Sequence, residues 1–236
     1  YYEDVQQRDF DGSVLATLPL LGDDIPNGAT HGIILDKTCF YPEGGGQEGD
    51  YGALFTDSKR VKVLDTQKVG NLVVHLTDGS FETGALVHGN LDWARRKQLM
   101  DHHTAVHIVG GAARRVLGPH IYQAGANKSV DSGRLDITHF RRLNRDDLDA
   151  IESLANEVLG KVQRTEKIEL NRKDADKKYG FDLYQGGAPK YRNVRVVEIP
   201  EIDAQACAGT HVSSTSHVVA VKVLRTERIQ DGVERI

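Results

Sequence analysis

Asp92-Trp93-Ala94-Arg95-Arg96-Lys97-Gln98-Leu99-Met100-Asp101-His102-His103-Thr104-Ala105-Val106-His107 is the stretch on which the reading of the fold turns. From Asp92 onward the apolar residues Leu99, Val106, Val109 and Val116 recur at helical spacing, with no proline as far as Leu117. Asp92 suits the cap of the first turn and Gly118-Pro119 ends the segment, so the pattern predicts a helix over 93–117. Upstream, turn signals at Gly22-Asp23-Asp24, Pro26-Asn27-Gly28, Gly44-Gly45-Gly46 and Asp78-Gly79 separate short β-branched runs at 32–41, 61–65, 72–76 and 85–90. Those lengths suit the strands of a small sheet or barrel. Downstream, a second helix fits 145–159, burying Leu148, Ile151, Leu154, Ala155 and Val158 and stopping at Gly160, and a third fits 172–179. With strand-like runs at 134–140, 194–199 and 218–225, the second part reads as sheet plus helices. The expected class is α+β: a small N-terminal, β-barrel-like domain over 1–91, then a sheet-plus-helices domain over 92–236.

The 236 residues are 39% hydrophobic and 27% charged, ordinary values for a soluble globular chain with a sizeable core. No apolar run approaches the ~18 residues of a membrane-spanning helix. The opening Tyr1-Tyr2-Glu3-Asp4 lacks the basic and apolar regions of a signal peptide, so a cytoplasmic protein with no membrane partner is expected. A first residue of Tyr, and a final run from Asp231 to Ile236 that stops within an apolar and polar alternation, read as an excised piece. A net charge of -4 argues against a broad grip on a polyanion, which strengthens with each phosphate neutralised, so any nucleic-acid contact is expected to be local. The two cysteines, Cys39 and Cys207, form no disulfide framework and each needs its own explanation.

His103 and His107 are four residues apart on the predicted helix, so their imidazoles share one face and can clamp one ion. Cys207-Ala208-Gly209-Thr210-His211 sets a thiolate and an imidazole at the same interval on a loop or helix turn, with Gly209 permitting tight folding. Three imidazoles and a thiolate suit zinc before magnesium or calcium, whose ligands are oxygens. The helical pair has the interval of a metalloprotease His-Glu-x-x-His helix, but Thr104 stands where that motif carries its glutamate base. Peptide hydrolysis by that route is therefore not expected, leaving another catalytic site or a structural one.

In Thr38-Cys39-Phe40-Tyr41-Pro42-Glu43-Gly44-Gly45-Gly46-Gln47 the glycines would let backbone approach a ligand, although a Gly-rich hairpin loop gives the same pattern. No Lys-Ser or Lys-Thr follows, so the segment is not a triphosphate-binding P-loop. Arg141, Arg142 and Arg145, then Lys161 and Arg164, then Lys173, Lys177 and Lys178 can be read as contacts to phosphates or as solvated faces.

Taken together, Phe40 to Gln47, His103 to His107, Tyr122-Gln123-Ala124-Gly125, Arg134-Leu135-Asp136-Ile137-Thr138-His139-Phe140 and Cys207 to Val212 resemble, in order, the editing domain of alanyl-tRNA synthetase and its freestanding AlaX relatives. The resemblance covers about residue 30 to the end, and both termini look like the archaeal synthetase around its editing region. Ala208 departs from it, since many bacterial members carry glycine there. What the resemblance implies is a zinc-dependent (Zn2+) deacylase that removes serine, and glycine, from the acceptor end of tRNA(Ala), with the remainder of the synthetase chain as its other partner. It places the ligand roles on His103, His107, Cys207 and His211 and puts Gln123 in the editing pocket. Thr38 becomes the group that senses the serine hydroxyl, while Gly44, Gly45, Gly46, Gln47, Arg134 and Asp136 become substrate-binding candidates. Strand alternation accounts for Asp136 and His139 nearly as well. The alternatives are a complete AlaX-type deacylase and a non-catalytic, zinc-stabilised tRNA-binding module.

Overall fold

The computed structural model describes residues 4–22, 25–185, 187 and 192–236; Tyr1, Tyr2 and Glu3 of the opening stretch and Asp23-Asp24 of the first turn signal lie outside them. The chain divides into two compact units, Tyr1–Leu99 and Met100–Ile236, and the division falls within the first helix rather than at its start.

The first unit carries β1 (Asp9–Pro19), β2 (His31–Leu35), β3 (Gly52–Phe55), β4 (Arg60–Val69), β5 (Leu72–Thr77) and β6 (Leu86–Leu91). They close a barrel in the order β1-β2-β5-β4-β3-β6, each strand antiparallel to its neighbours. Closure leaves no free sheet edge. Inward residues alternate with outward ones along β1, the first half of β4 and β6, and Phe10, Val14, Ile33, Leu54, Val61, Val63 and Val87 share one core with Phe40, which follows β2. β1 has a Gly and two Asp in its first half and no β-branched run, which is why sequence pattern alone passes over it. The run at 32–41 stops being a strand at Leu35, because the Asp36 carboxylate accepts from Ser13 N–H (2.8 Å) and Lys37 N–H (2.9 Å) and turns the chain.

The helix α1 spans Trp93–Leu117. Its first turn belongs to the first unit, where the buried Arg96 guanidinium pairs with buried Asp50 and donates to the Cys39 carbonyl at 2.8 Å, while Asp50 also accepts from Tyr41 N–H at 2.5 Å. Cys39 is thereby explained as core: burial raises its thiol to about 11, which leaves it inert at neutral pH.

In the second unit follow β7 (Gln123–Lys128), β8 (Gly133–Thr138), α2 (Arg145–Gly160), β9 (Glu166–Asn171), α3 (Arg172–Tyr179), β10 (Asn193–Ile199), β11 (Asp203–Ala206), β12 (Glu227–Gln230) and β13 (Val233–Arg235). They form one sheet in the order β11-β10-β9 and another in the order β12-β13-β8-β7. α2 starts with a capping box, Asn144 and Asp147 exchanging side-chain and backbone hydrogen bonds. It buries Ile151, Ala155, Val158 and Leu159; Gly160 is still helical and the left-handed residue is Val162, at φ 45°. Val116, the last of the apolar residues recurring along α1, is 37% exposed. The run at 218–225 is not a strand. Asn156 of α2 holds Val221 through both of its backbone polar groups (2.9 Å each), and Glu152 accepts from Val223 N–H, so a helix side satisfies the backbone that a ladder would have used.

Candidate metal centre

The second unit brings His103, His107, Cys207 and His211 into one cluster whose ligand atoms lie within 4.8 Å of one another, a group that could hold a metal ion. α1 supplies the first two from adjacent turns, with ring centroids 5.3 Å apart. Cys207 follows directly after β11, on a loop that Arg195 pins by donating to the Cys207 and Gly209 carbonyls at 2.7 and 3.0 Å. Lys167 donates to the His211 carbonyl at 2.8 Å. Gly209 is required by close approach: a Cβ there would stand 2.0 Å from Cε1 of His103.

Hydrogen bonds behind the rings set which nitrogen faces the cluster. His107 donates from Nδ1 to the Asp203 carboxylate at 2.8 Å. Thr104 donates its hydroxyl proton to the Met100 carbonyl (2.9 Å), so its oxygen accepts from Nδ1 of His211 at 3.2 Å. In both rings the bond at Nδ1 turns Nε2 toward the cluster, the nitrogen that ligates a metal once it has given up its proton. Nε2 of His103 and of His211 approach the Cys207 sulfur at 3.4 and 3.3 Å. Burial acts against the Cys207 thiolate, but the charges of His103 and His211 and the hydrogen bonds from His103 and His107 pull the thiol well below its ordinary range. Burial also acts against charge on His107, yet Asp203 and Cys207 outweigh it and raise that imidazole to about 9, whereas His103 is lowered to about 4 chiefly by burial. Sequence reasoning missed Asp203, 96 residues from its partner, and the buried Lys128, whose ammonium burial lowers to about 8. Neither residue belongs to a spacing motif.

Of the other candidates in this unit, Gln123 begins β7 and lines a cavity that also reaches Asp203. Asp136 is buried and its carboxylate is taken by Arg235 of β13 at 2.7 and 3.0 Å, with Arg134 at 3.8 Å, which ties β8 to its neighbour.

In the first unit, Gly44 and Gln47 pair with each other at 3.0 and 3.1 Å across Gly45 and Gly46, both left-handed (φ 59° and 73°), a tight hairpin turn that only glycine enters without strain. Tyr41 donates to the Gly44 carbonyl at 2.7 Å and Gln47 is fully buried. Thr38 sits beside this turn in sequence. His75, held neutral by burial that lowers it to about 4, donates from Nδ1 to the Ile33 carbonyl (3.0 Å) and accepts the Thr38 hydroxyl proton at Nε2 (2.9 Å). Phe40 N–H donates to the Thr38 oxygen at 3.0 Å, leaving one lone pair.

Two family descriptions match the chain: tRNA synthetases class II (A) over residues 11–95, and the threonyl and alanyl tRNA synthetase second additional domain over residues 194–236. Among similar curated proteins are the alanine–tRNA ligases of Pyrococcus furiosus (47% identical over 238 residues, covering 100% of this chain and 25% of the relative), Saccharolobus islandicus (44% over 241 residues, 100% and 26%) and Metallosphaera sedula (43% over 238 residues, 100% and 25%). The chain thus spans about a quarter of the length of these relatives. Among the described residues no helix is long and apolar enough to cross a membrane. With both family descriptions and relatives of this similarity along its whole length, the chain belongs to the alanine–tRNA ligase family.

Proposed function

We propose that this chain carries out hydrolytic editing: it cleaves the ester that joins a wrongly attached amino acid, serine first and glycine second, to the 3′ end of tRNA(Ala), and does so as a cytoplasmic partner of the rest of a synthetase. The observation that carries the reading is the convergence of His103, His107, Cys207 and His211, with Asp203 and Thr104 behind two of the rings, in a chain of this family. The donor set fits zinc: borderline-soft imidazole and thiolate donors in a set of four, with the outer oxygens that orient such ligands. Bound there, zinc supplies a Lewis acid that polarises a carbonyl or acidifies a water.

The chain's own residues supply the rest. Cys207 and His107, the latter backed by a carboxylate, are the firm donors; His211, backed only by a neutral hydroxyl at 3.2 Å, is the least firmly held of the cluster's backed imidazoles. Thr38 gives its proton to His75, so its open lone pair suits a donor such as the serine hydroxyl, and alanine offers none. Polar recognition of that kind separates serine from alanine far better than an apolar pocket does; it gives glycine, which also lacks the hydroxyl, no advantage, in keeping with its second place. Thr38→Val is expected to lower the ratio of seryl to alanyl ester cleavage; equal ratios in variant and parent would remove Thr38 from this role.

Four protein ligands are also the mark of a structural zinc, which favours a second reading as a non-catalytic tRNA-binding module. Deacylation of seryl-tRNA(Ala), with and without chelator and with Cys207→Ala alongside, separates the two. Turnover lost on both treatments supports editing; tRNA binding without turnover in the untreated chain supports the module.

A further inference from the structure

One turn beyond His107, α1 presents Gly110 and Gly111 to a cavity of about 150 Å³ that lies wholly within the second unit. An alanine at Gly110 would meet only Leu135 Cδ2, at 3.5 Å, so the helix backbone is open to an occupant there. Leu135, Ile137 and the ring of Tyr179 give the cavity apolar surface. Its charged groups are already engaged: Asp182 accepts from Arg114 at 3.2 Å and from the Tyr122 hydroxyl at 3.0 Å, and Asp203 accepts from His107 at 2.8 Å and from Gln205 Nε2 at 3.1 Å. An anion would meet two carboxylates and one guanidinium that is already paired, so phosphate is a poor occupant.

Amides remain. Gln185 is used on both sides, accepting from Gln123 N–H and donating to the Asp182 carbonyl at 2.8 Å each. Among the described residues the Gln123 side-chain amide makes no hydrogen bond, and Gln205 engages only its Nε2, leaving Oε1 as an acceptor. The cavity therefore offers one donor and acceptor pair on a single planar group, a further acceptor in Gln205 Oε1, the Nε–H of Arg114, buried without a partner among the described residues, and apolar and aromatic surface. That is the complement of an aminated heterocycle: a glutamine amide takes the exocyclic amine and adjacent ring nitrogen of adenine together, whereas a ring carbonyl at that position faces an acceptor.

We propose that this cavity binds the terminal adenine of the tRNA, read by the Gln123 amide with Gln205 Oε1 as the second acceptor. The inference rests on the editing reading above, in which the scissile ester is on that same nucleotide. The shared Asp203 sets the cavity against the Nδ1 side of His107, so the base lies next to the cluster and not among its ligands.

The test is an NMR titration of the zinc-loaded 236-residue chain with adenosine and, separately, inosine, which carries a carbonyl in place of the exocyclic amine. Saturable shifts of the Gly110 and Gly111 amide signals with adenosine, at least tenfold weaker with inosine, are expected. Gln123→Leu should weaken adenosine at least tenfold with zinc content unchanged. Equal binding of the two nucleosides, no shift at Gly110 and Gly111 up to millimolar adenosine, or an unaffected Gln123→Leu chain overturns the proposal. The nucleoside comparison needs no substitution, so it stands even if the variant folds poorly. Seryl-tRNA deacylation by the same samples keeps the two readings apart: turnover without nucleoside discrimination sinks the base site alone, and discrimination without turnover sinks the editing reading alone.

Discussion

The glycine turn of the first unit and the metal cluster of the second are both dense sequence motifs, yet they use their polar groups in opposite ways. Around Gly44 to Gln47 the polar groups close on one another: turn backbone on turn backbone, Tyr41 on Gly44, Thr38 on His75, Asp50 on Arg96. In the cluster the outer nitrogens are tied back to Asp203 and Thr104, and the inner nitrogens and the sulfur are left converging on one point. A motif whose groups satisfy each other holds a fold. A motif whose support lies behind it, with lone pairs facing inward, is built for a ligand that is not protein.

Substitutions in the two regions should therefore fail differently. Gly209→Ala should have the largest effect, because its Cβ would enter the His103 ring at 2.0 Å; roughly 100-fold or more of metal affinity should vanish, as read by chelator competition, given that losing an outer partner alone costs 10- to 100-fold. Asp203→Ala should fall within that latter range, about 10- to 100-fold, with the metal still binding at high concentration. An Asp203→Ala chain that competes for zinc like the parent would show that the carboxylate behind His107 does not tune it.

His75 gives the first unit its own signature. Its folded pKa, about 4, lies below the ordinary 6.5, so the unfolded chain binds the extra proton between those values. Stability is complete above about pH 6.5 and falls as the pH drops toward 4, by about 2 kcal/mol between pH 7 and pH 5. Denaturant unfolding at the two pH values, in the parent and in His75→Gln, should show this slope only in the parent. The smallest effect belongs to Gly45→Ala: nothing lies within 4 Å of the new Cβ, so only the left-handed backbone is strained, at about 1 kcal/mol. Its zinc content should be unchanged. Full stability with lost deacylation in Gly45→Ala would instead assign the turn to substrate.

The same contrast explains what was legible beforehand. Helices α1 and α3 could be bounded from sequence because their spacing, caps and stops are local, and the four cluster residues because their side-chain types are rare and evenly spaced. β7 could not be seen as a strand, since Gln-Ala-Gly-Ala-Asn-Lys has no β-branched residue and is strand only through pairing with β8. Asp203 and Thr104 were silent for a related reason: their roles come from the tertiary register, which sets an aspartate of β11 against a histidine of α1. The 218–225 run shows the converse, an alternation overruled by the side chains of α2.

Whether the cluster holds one zinc ion through these four residues can be read from X-ray absorption at the zinc edge on the purified chain. One zinc per chain is expected, with one sulfur at about 2.3 Å and nitrogens at about 2.0 Å, and the sulfur shell should be lost in Cys207→Ala. A shell of oxygens, or a sulfur shell that survives Cys207→Ala, would contradict it.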